Sequence, residues 1–363
     1  MIKPFKRVFF VRLAMASFWI AVFVGLLFIP GATRFAGREK SLNIFTWPML
    51  LDAQYLSKFE AETGIKLNIS YYENNEELLS KLEATKGQGY DLIIPSDYIV
   101  ESLVSGGLVK KLDRSKIAAF DRINPALLGH YFDAHNEYSI PYYWACYGIG
   151  YNKDSSGGVV PPATLGLLFN KQSAFARITM PDSARETMLA AALYAFGTIE
   201  HVFDDPEKIT AIKDVLIKQK QWVEVYTEAR AAELLFSRSV DAVYALSSEI
   251  QRIASSAPYV DFLIPDEGSF LLLDVIMIPA VSTKDDLTYQ FINYIFNDEM
   301  LKHNFIKFGS FPPIRAIFDE VIDSGAIRPI VMPNNEQISK FSLIRNVIPQ
   351  VTLNDLWIKV MGS

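Results

Sequence analysis

Residues 90–107 read Tyr90-Asp91-Leu92-Ile93-Ile94-Pro95, then Ser96-Asp97-Tyr98-Ile99-Val100-Glu101-Ser102-Leu103-Val104-Ser105, and close on Gly106-Gly107. The first six form an apolar run of strand length stopped by proline. Ser96-Asp97 then gives the polar start of a short helix that the two glycines end. A strand that feeds straight into a helix is the building unit of a parallel sheet, because parallel strands need a crossover to connect them.

Two similar units precede it. Residues 42–47 form a short apolar strand, followed by a helix over 52–63 that buries Tyr55, Leu56 and Phe59 and stops at Gly64. Residues 67–71 form the next strand, and Asn74 caps a helix with Glu77 at its third position and Leu78, Leu79 and Leu82 on one face. The order is βαβαβα, and ligands of such sheets bind outside the carboxyl ends of the strands. Here those ends are Trp47, the turn 71–75 and residues 95–98.

Beyond Cys146 the pattern starts again. Helices are expected over 183–196, 206–222 and 247–255, with strands over 241–246 and 270–280. Helices over 287–296 and 299–308 fit a return to the first region. There is no internal repeat and no low-complexity tract. A chain of 363 residues, half of them hydrophobic and 13% aromatic, is long enough for two cores, and its charged fraction of 21% is not that of a disordered chain.

The formal charge of -6 conceals an asymmetry. Residues 1–40 carry seven Lys/Arg against Glu39 alone, which leaves -12 on residues 41–363. An acidic folded part disfavours nucleic acid as a partner and favours cationic ligands. Lys3, Lys6, Arg7 and Arg12 precede an uncharged apolar run over 13–29, the order of an export signal. That run is longer than an ordinary signal core and approaches spanning length, so residues 1–40 read as a signal peptide or an uncleaved anchor, with the anchor favoured. The sole cysteine, Cys146, excludes an internal disulfide and a lipoprotein signal, and its apolar flanks mark a buried structural thiol.

Four stretches together carry a family resemblance: Thr63-Gly64-Ile65-Lys66, Asn74-Asn75-Glu76, Tyr90-Asp91-Leu92-Ile93-Ile94-Pro95-Ser96-Asp97-Tyr98 and Tyr138-Ser139-Ile140-Pro141-Tyr142. The chain resembles the spermidine/putrescine-binding proteins of bacterial ABC importers, most densely over residues 42–152. The resemblance implies an α/β, two-lobed type II periplasmic-binding-protein fold, each lobe a mostly parallel sheet flanked by helices, joined by hinge crossovers near Ala145, Asp274 and Phe318. Lobe 1 is then 41–145 plus 274–318, and lobe 2 is 146–273 plus 319–363. It further implies a monomer that captures a polyamine-like amine between its lobes and passes it to a permease in the cytoplasmic membrane, with no cofactor.

Asp274 is the strongest ligand candidate on physical grounds. It interrupts the apolar run Phe270-Leu271-Leu272-Leu273 and Val275-Ile276-Met277-Ile278, where an unpaired carboxylate costs several kcal/mol. The resemblance gives it to a ligand amine; an internal salt bridge is the alternative. Glu186 matches a family glutamate, yet Ser183-x-x-Glu186 is also a capping box. Glu249 aligns with an aspartate of some diamine-binding relatives, or is a solvated acid in a helix's first turn. Ser96 and Tyr98 match a strand-end serine and tyrosine that line the ligand, although Ser96 could only cap its helix. Trp47 matches a ring that flanks the alkyl chain and attracts a cation by roughly 0.5–2 kcal/mol, or is plain core.

The chain departs from the family at five positions. Met49 and Leu50 stand where an acid and a tyrosine follow the tryptophan, Ser183 replaces an aspartate, and Leu246 and Leu272 replace two cleft tryptophans. The alternative function is therefore a membrane-tethered sensor or binding protein on the same scaffold with a non-polyamine ligand. Catalysis is not expected: His130, His135, His201 and His303 make no metal-ligand spacing, no G-x-S-x-G or phosphate-cradling loop occurs, and Gly148-Ile149-Gly150 reads as close packing.

Overall fold

The computed structural model describes residues 40–172, 175–330, 341–345 and 347–363, with the single positions 15, 19 and 338. The expected export or anchor run over 13–29 falls outside them except at Met15 and Trp19. No helix among the described residues is long and apolar enough to cross a membrane.

The first sheet is built from β1 (Ser41–Thr46), β2 (Lys66–Tyr71) and β3 (Leu92–Ile93), all parallel in the order β2-β1-β3. The connecting helices Ala53–Thr63 and Asn75–Thr85 begin at Asp52 and Asn74, whose side chains accept from Gln54 N and Glu77 N; the Asn74 cap is the one expected from sequence, and Asp52 caps the helix it was expected to start. Leu56 and Phe59 are buried while Tyr55 stays half-buried. Leu42, Ile44, Phe59 and Ile292 share one core; each fully buried aliphatic or aromatic side chain there contributes ~1.5–3 kcal/mol.

β3 is shorter than the 90–95 run and is bonded on both edges. Ile94 N still donates to Phe45 O of β1 at 3.1 Å, while the other edge bonds residues 274–277, Ile93 with Met277 in both directions at 3.0 Å. Asp91 is a staple rather than a ligand group: its carboxylate accepts from Asn43 N at 2.9 Å, Ser282 Oγ at 3.0 Å and Lys284 Nζ at 2.9 Å.

The remaining strands follow in order: β4 (Val109–Lys110), β5 (Ile140–Asn152), β6 (Ile178–Met180), β7 (Val223–Tyr226), β8 (Ala242–Leu246), β9 (Val260–Leu263), β10 (Phe270–Ile276), β11 (Ile278–Pro279) and β12 (Ser342–Leu343). The larger sheet runs β12-β10-β5-β8-β6-β7, with β9 also on β5 and β11 pairing β4. β5 is the pivot of this arrangement. It pairs antiparallel with β10 over Ile140–Cys146, and from Tyr147 onward with β8 and β9. β10 carries an irregularity between Asp274 and Val275 yet stays paired with β5 to Ile276, while its other edge, bonded to β12 at Phe270 and Leu271, meets Ser96 through Asp274.

The expected 270–280 strand is thus two pieces, β10 and β11. Two α/β lobes share the long strands β5 and β10, and the helices Asp285–Ile295 and Asp298–Phe308 pack back on the first lobe's helix Ala53–Thr63, through Phe59–Phe291 and the Tyr294 hydroxyl on Tyr55 O at 2.8 Å, and through the Tyr55 hydroxyl on Glu299 Oε1 at 3.0 Å. A third strand of chain returns after the helix Arg315–Asp323, where Arg328 donates to Ala254 O at 3.2 Å and Ala257 O at 3.4 Å.

Close approach accounts for three glycines. A Cβ on Gly148 would lie 2.4 Å from the Phe262 ring and one on Gly150 2.9 Å from Ile250, which bears out the packing reading of that motif. Gly309 ends its helix at φ 72°, and a Cβ there would lie 2.2 Å from Ser248 O, so this glycine lets the helix Asp298–Phe308 end against the helix Ser247–Ala254. Cys146 is fully buried and burial pushes its thiol up to about 12, an inert thiol as expected.

Candidate functional site

The carboxyl ends of β1, β2 and β3 open on a cavity of about 500 Å³. Trp47–Leu50 leave β1 along its rim, the 73–76 turn follows β2, and Ser96 and Tyr98 follow β3. The opposite wall comes from the first turns of the helices Ala184–Phe196 and Ser247–Ala254, with β10 across the base. All six residues singled out from sequence, Trp47, Ser96, Tyr98, Glu186, Glu249 and Asp274, line this one cavity.

Asp274 is 4% exposed and accepts from Ser96 Oγ at 2.7 Å. Burial pushes its carboxyl up to about 7, with Ser96 and the nearby Trp47 indole drawing it back down. It makes no ion pair among the described residues, so the internal salt bridge of the alternative reading is not formed there. Ser96 supplies no side-chain cap to the turn Asp97–Ile99; its hydroxyl is turned to Asp274. Asp97 is fully buried beside Asp274 and held well above the usual carboxylate range by burial and by Asp274's charge. Of the two acids, Asp274 is the one that reaches the cavity.

On the facing wall, Glu186 does not close the capping box. Ser183 makes no side-chain cap to the backbone; its hydroxyl instead bonds the Glu186 carboxylate. Burial, then the charge of Glu228, pushes Glu186 up, against its own N–H and Arg185. Glu249 is not a solvated first-turn acid either: its Oε2 is buried without a hydrogen-bond partner, and burial followed by Glu228's charge pushes it up to about 8.

Between the carboxylates the lining is apolar or aromatic. Trp47 packs on Tyr72 with ring centroids 4.5 Å apart, its Nε1 without a hydrogen-bond partner, while Tyr143, Leu246 and Leu272 complete the middle. Tyr98 lies under the Arg185 guanidinium at 5.7 Å. Met49 sits on the lip with φ 58° and 62% exposure, and Leu50 is buried beneath it. The Met49-Leu50 turn is held from behind. Asp52 would be raised by its burial, but hydrogen bonds from Lys307, Gln54 N and His303 bring it down to about 2, an anchor that stays charged.

Sequence reasoning missed Glu228, Asn75, Tyr143 and Tyr147. Asn75 Oδ1 accepts from Ser96 N at 3.1 Å, and Tyr147 donates to Glu228 Oε1 at 2.8 Å. Asn75 stood inside a quoted motif, and the two tyrosines stood in an aromatic run; Glu228, in Thr227-Glu228-Ala229-Arg230, carried no signal beyond its charge. Among the described residues no group of three His, Cys, Asp or Glu is placed to hold a metal ion.

Two α/β lobes sharing long strands, with an acid-lined cavity where their edges meet, define a two-lobed solute-binding protein. Residues 54–327 match the bacterial extracellular solute-binding protein family, and the chain belongs to it. Members of that family bind solutes and are not enzymes. The chain is 29% identical over 282 residues to the spermidine/putrescine-binding periplasmic protein of Escherichia coli K12, covering 77% of this chain and 79% of the relative. It is 28% identical to the putrescine-binding periplasmic protein SpuD of Pseudomonas aeruginosa, over 84% of this chain and 87% of that one. Its fold matches the spermidine/putrescine ABC transporter substrate-binding protein PotD of Streptococcus pneumoniae with a TM-score of 0.77 at 24% identity, covering 89% of this chain and 99% of the other.

Proposed function

We propose that this protein captures a small organic cation, a polyamine such as putrescine or spermidine, between its lobes and delivers it to an ABC permease in the cytoplasmic membrane. The observation that carries the reading is the state of Asp274 and Glu249: two buried cavity carboxylates, pushed up to about 7 and about 8, with no cationic side chain ion-paired to either among the described residues. An ammonium ligand supplies the missing counter-charge and lets both ionise. The names and functions of the relatives, which bind spermidine or putrescine in the periplasm, support the same ligand and compartment.

In this reading Trp47 and Tyr98 flank the alkyl chain, Ser96 orients Asp274, and Glu186 and Glu249 receive an amine. The protein works as an exported monomer without a nucleic-acid partner, held at the outer face of the membrane by residues 13–29. Lobes 41–145 plus 274–318 and 146–273 plus 319–363 close about the crossovers near Ala145, Asp274 and Phe318; closure needs a ligand that contacts the closed state better than the open one. A second reading, a non-polyamine cation on the same scaffold, draws on Leu246 and Leu272, which give the cavity alkyl faces instead of rings.

Calorimetry across putrescine, cadaverine, spermidine and spermine tests the ligand class. Putrescine-length diamines are expected to outrank spermine, and an absence of heat for every member at millimolar concentration would defeat the polyamine assignment.

A further inference from the structure

Glu228 reaches the cavity by a specific local arrangement. It lies in the turn between β7 and the helix Ala231–Phe236, and its backbone N–H donates to Asp182 Oδ1 at 3.0 Å, while Thr227 N donates to Met180 O at 2.8 Å. Asp182 precedes Ser183, the N-cap of the helix that carries Glu186, so these two bonds bring the Glu228 turn to the start of that helix. Tyr147, from the pivot strand β5, then holds Glu228 Oε1 at 2.8 Å. Its charge raises both Glu186 and Glu249, and all three line the one cavity.

The cluster is only partly neutralised from within: Arg185 draws Glu186 down and Arg252 draws Glu249 down, and burial with Glu228's charge outweighs both. Arg185 is spent on the Tyr98 ring at 5.7 Å and Gln350 Oε1 at 3.4 Å, and Arg252 on Glu233 at 3.1 Å. Glu249 Oε2, buried and without a hydrogen-bond partner, marks the gap that a ligand donor would fill. Three acids from three separate elements line the one cavity, one of them with an unpartnered buried oxygen, and they call for a donor with several N–H bonds and a positive charge.

We infer that Glu228 joins Glu186 and Glu249 in a three-carboxylate seat that selects a primary ammonium terminus of the ligand. The inference rests on the amine reading above and sharpens it. A primary ammonium has three N–H donors and can engage more than one carboxylate at once; a tertiary amine offers one and a quaternary amine none. The seat also supplies a carboxylate that Met49 no longer provides on the opposite rim.

The test compares wild type with Glu228→Gln by calorimetry, using putrescine and N,N,N′,N′-tetramethylputrescine as probes. Wild type should prefer putrescine strongly, and Glu228→Gln should lose about tenfold or more in putrescine affinity while changing little for the tetramethyl compound. Ligand-free melting of this variant should be at or above that of wild type, since a repelling carboxylate is gone. Glu228→Asp keeps the charge but withdraws it by one methylene, and should lose affinity by an intermediate factor, so it replaces the glutamine variant if that one fails to fold. Putrescine affinity equal to wild type in whichever variant folds, or an equal loss for both probes, overturns the seat and leaves the amine reading standing. A wild type silent to every diamine overturns both.

Discussion

Asp274 and Glu249 face one cavity from different elements and are held in different ways. Asp274 stands on β10 between β5 on one edge and the end of β3 on the other, and Ser96 Oγ reaches it at 2.7 Å. Its position is fixed by two lobes' worth of backbone. Glu249 stands in the first turn of a helix, with one oxygen unbonded and Glu228 as a repelling neighbour. One wall presents a single oriented carboxylate and the other a crowded, unsatisfied group. A diamine meeting them would find a rigid anchor at one end and, at the other, a site that only becomes well ordered once the ammonium arrives.

The most forceful way to break this contrast is Asp274→Asn. If Asp274 is the anchor, the amide keeps its shape, needs no counter-ion and leaves the ligand-free fold as stable as before or slightly more so. A hydrogen bond to a charged group contributes roughly 1.5–3 kcal/mol, so affinity should fall on the order of tenfold to a hundredfold. Paired melts and titrations separate the outcomes: a large drop in ligand-free Tm with unchanged affinity would assign Asp274 to the fold instead of the ligand.

A pH series probes both walls at once. Cation binding requires deprotonated carboxylates, and Asp274 and Glu249 hold their protons up to about 7 and about 8. Amine affinity should therefore rise between about pH 6 and 8.5, by up to about tenfold per unit for each proton displaced, and level off above. The ligand-free protein should respond oppositely. Carboxylates whose folded-state pKa is raised contribute stability that is fully present below the unfolded value of roughly 4 and is lost as pH rises through 7–8. Ligand-free Tm should thus decline across that window while the ligand-induced gain in Tm grows. A flat affinity profile would mean that neither carboxylate meets the ligand's charge.

How far sequence went follows the same division. The first sheet was legible because its strands are short, its helices carry side-chain caps at Asp52 and Asn74, and Gly64 stops the first at its cap. The strand ends then pointed to Trp47, Ser96 and Tyr98 without any knowledge of pairing. Asp274 stood out because a lone acid in an apolar strand is costly. The second wall was harder to read, since Glu186 and Glu249 look like ordinary first-turn acids and only tertiary packing buries them. Glu228 was invisible: a loop glutamate becomes a cavity group only through its backbone bond to Asp182, 46 residues away. The split of the 270–280 run escaped for a similar reason, because β10 ends at Ile276 on β5 while β11 begins at Ile278 on β4, and no local pattern records that change of partner.

The smallest effect is expected from Ser96→Ala, and it sharpens the contrast most finely. Its hydroxyl favours the charged form of Asp274, partly offsetting the burial that raises it. Without it, one hydrogen bond to the carboxylate is lost and Asp274 should hold its proton to a higher pH. A single such bond contributes ~0.5–1.5 kcal/mol net, so affinity near neutral pH should fall about threefold to tenfold. The rise of affinity with pH should move upward, while at high pH, where Asp274 is ionised in both proteins, most of the gap should close. A serine that only started a helix would behave differently, losing ~1 kcal/mol of stability at every pH with ligand affinity intact. Because that hydroxyl makes no cap to the backbone, the pH-dependent outcome is the one expected, and titrations of the two proteins at pH 6.5 and 9 distinguish them.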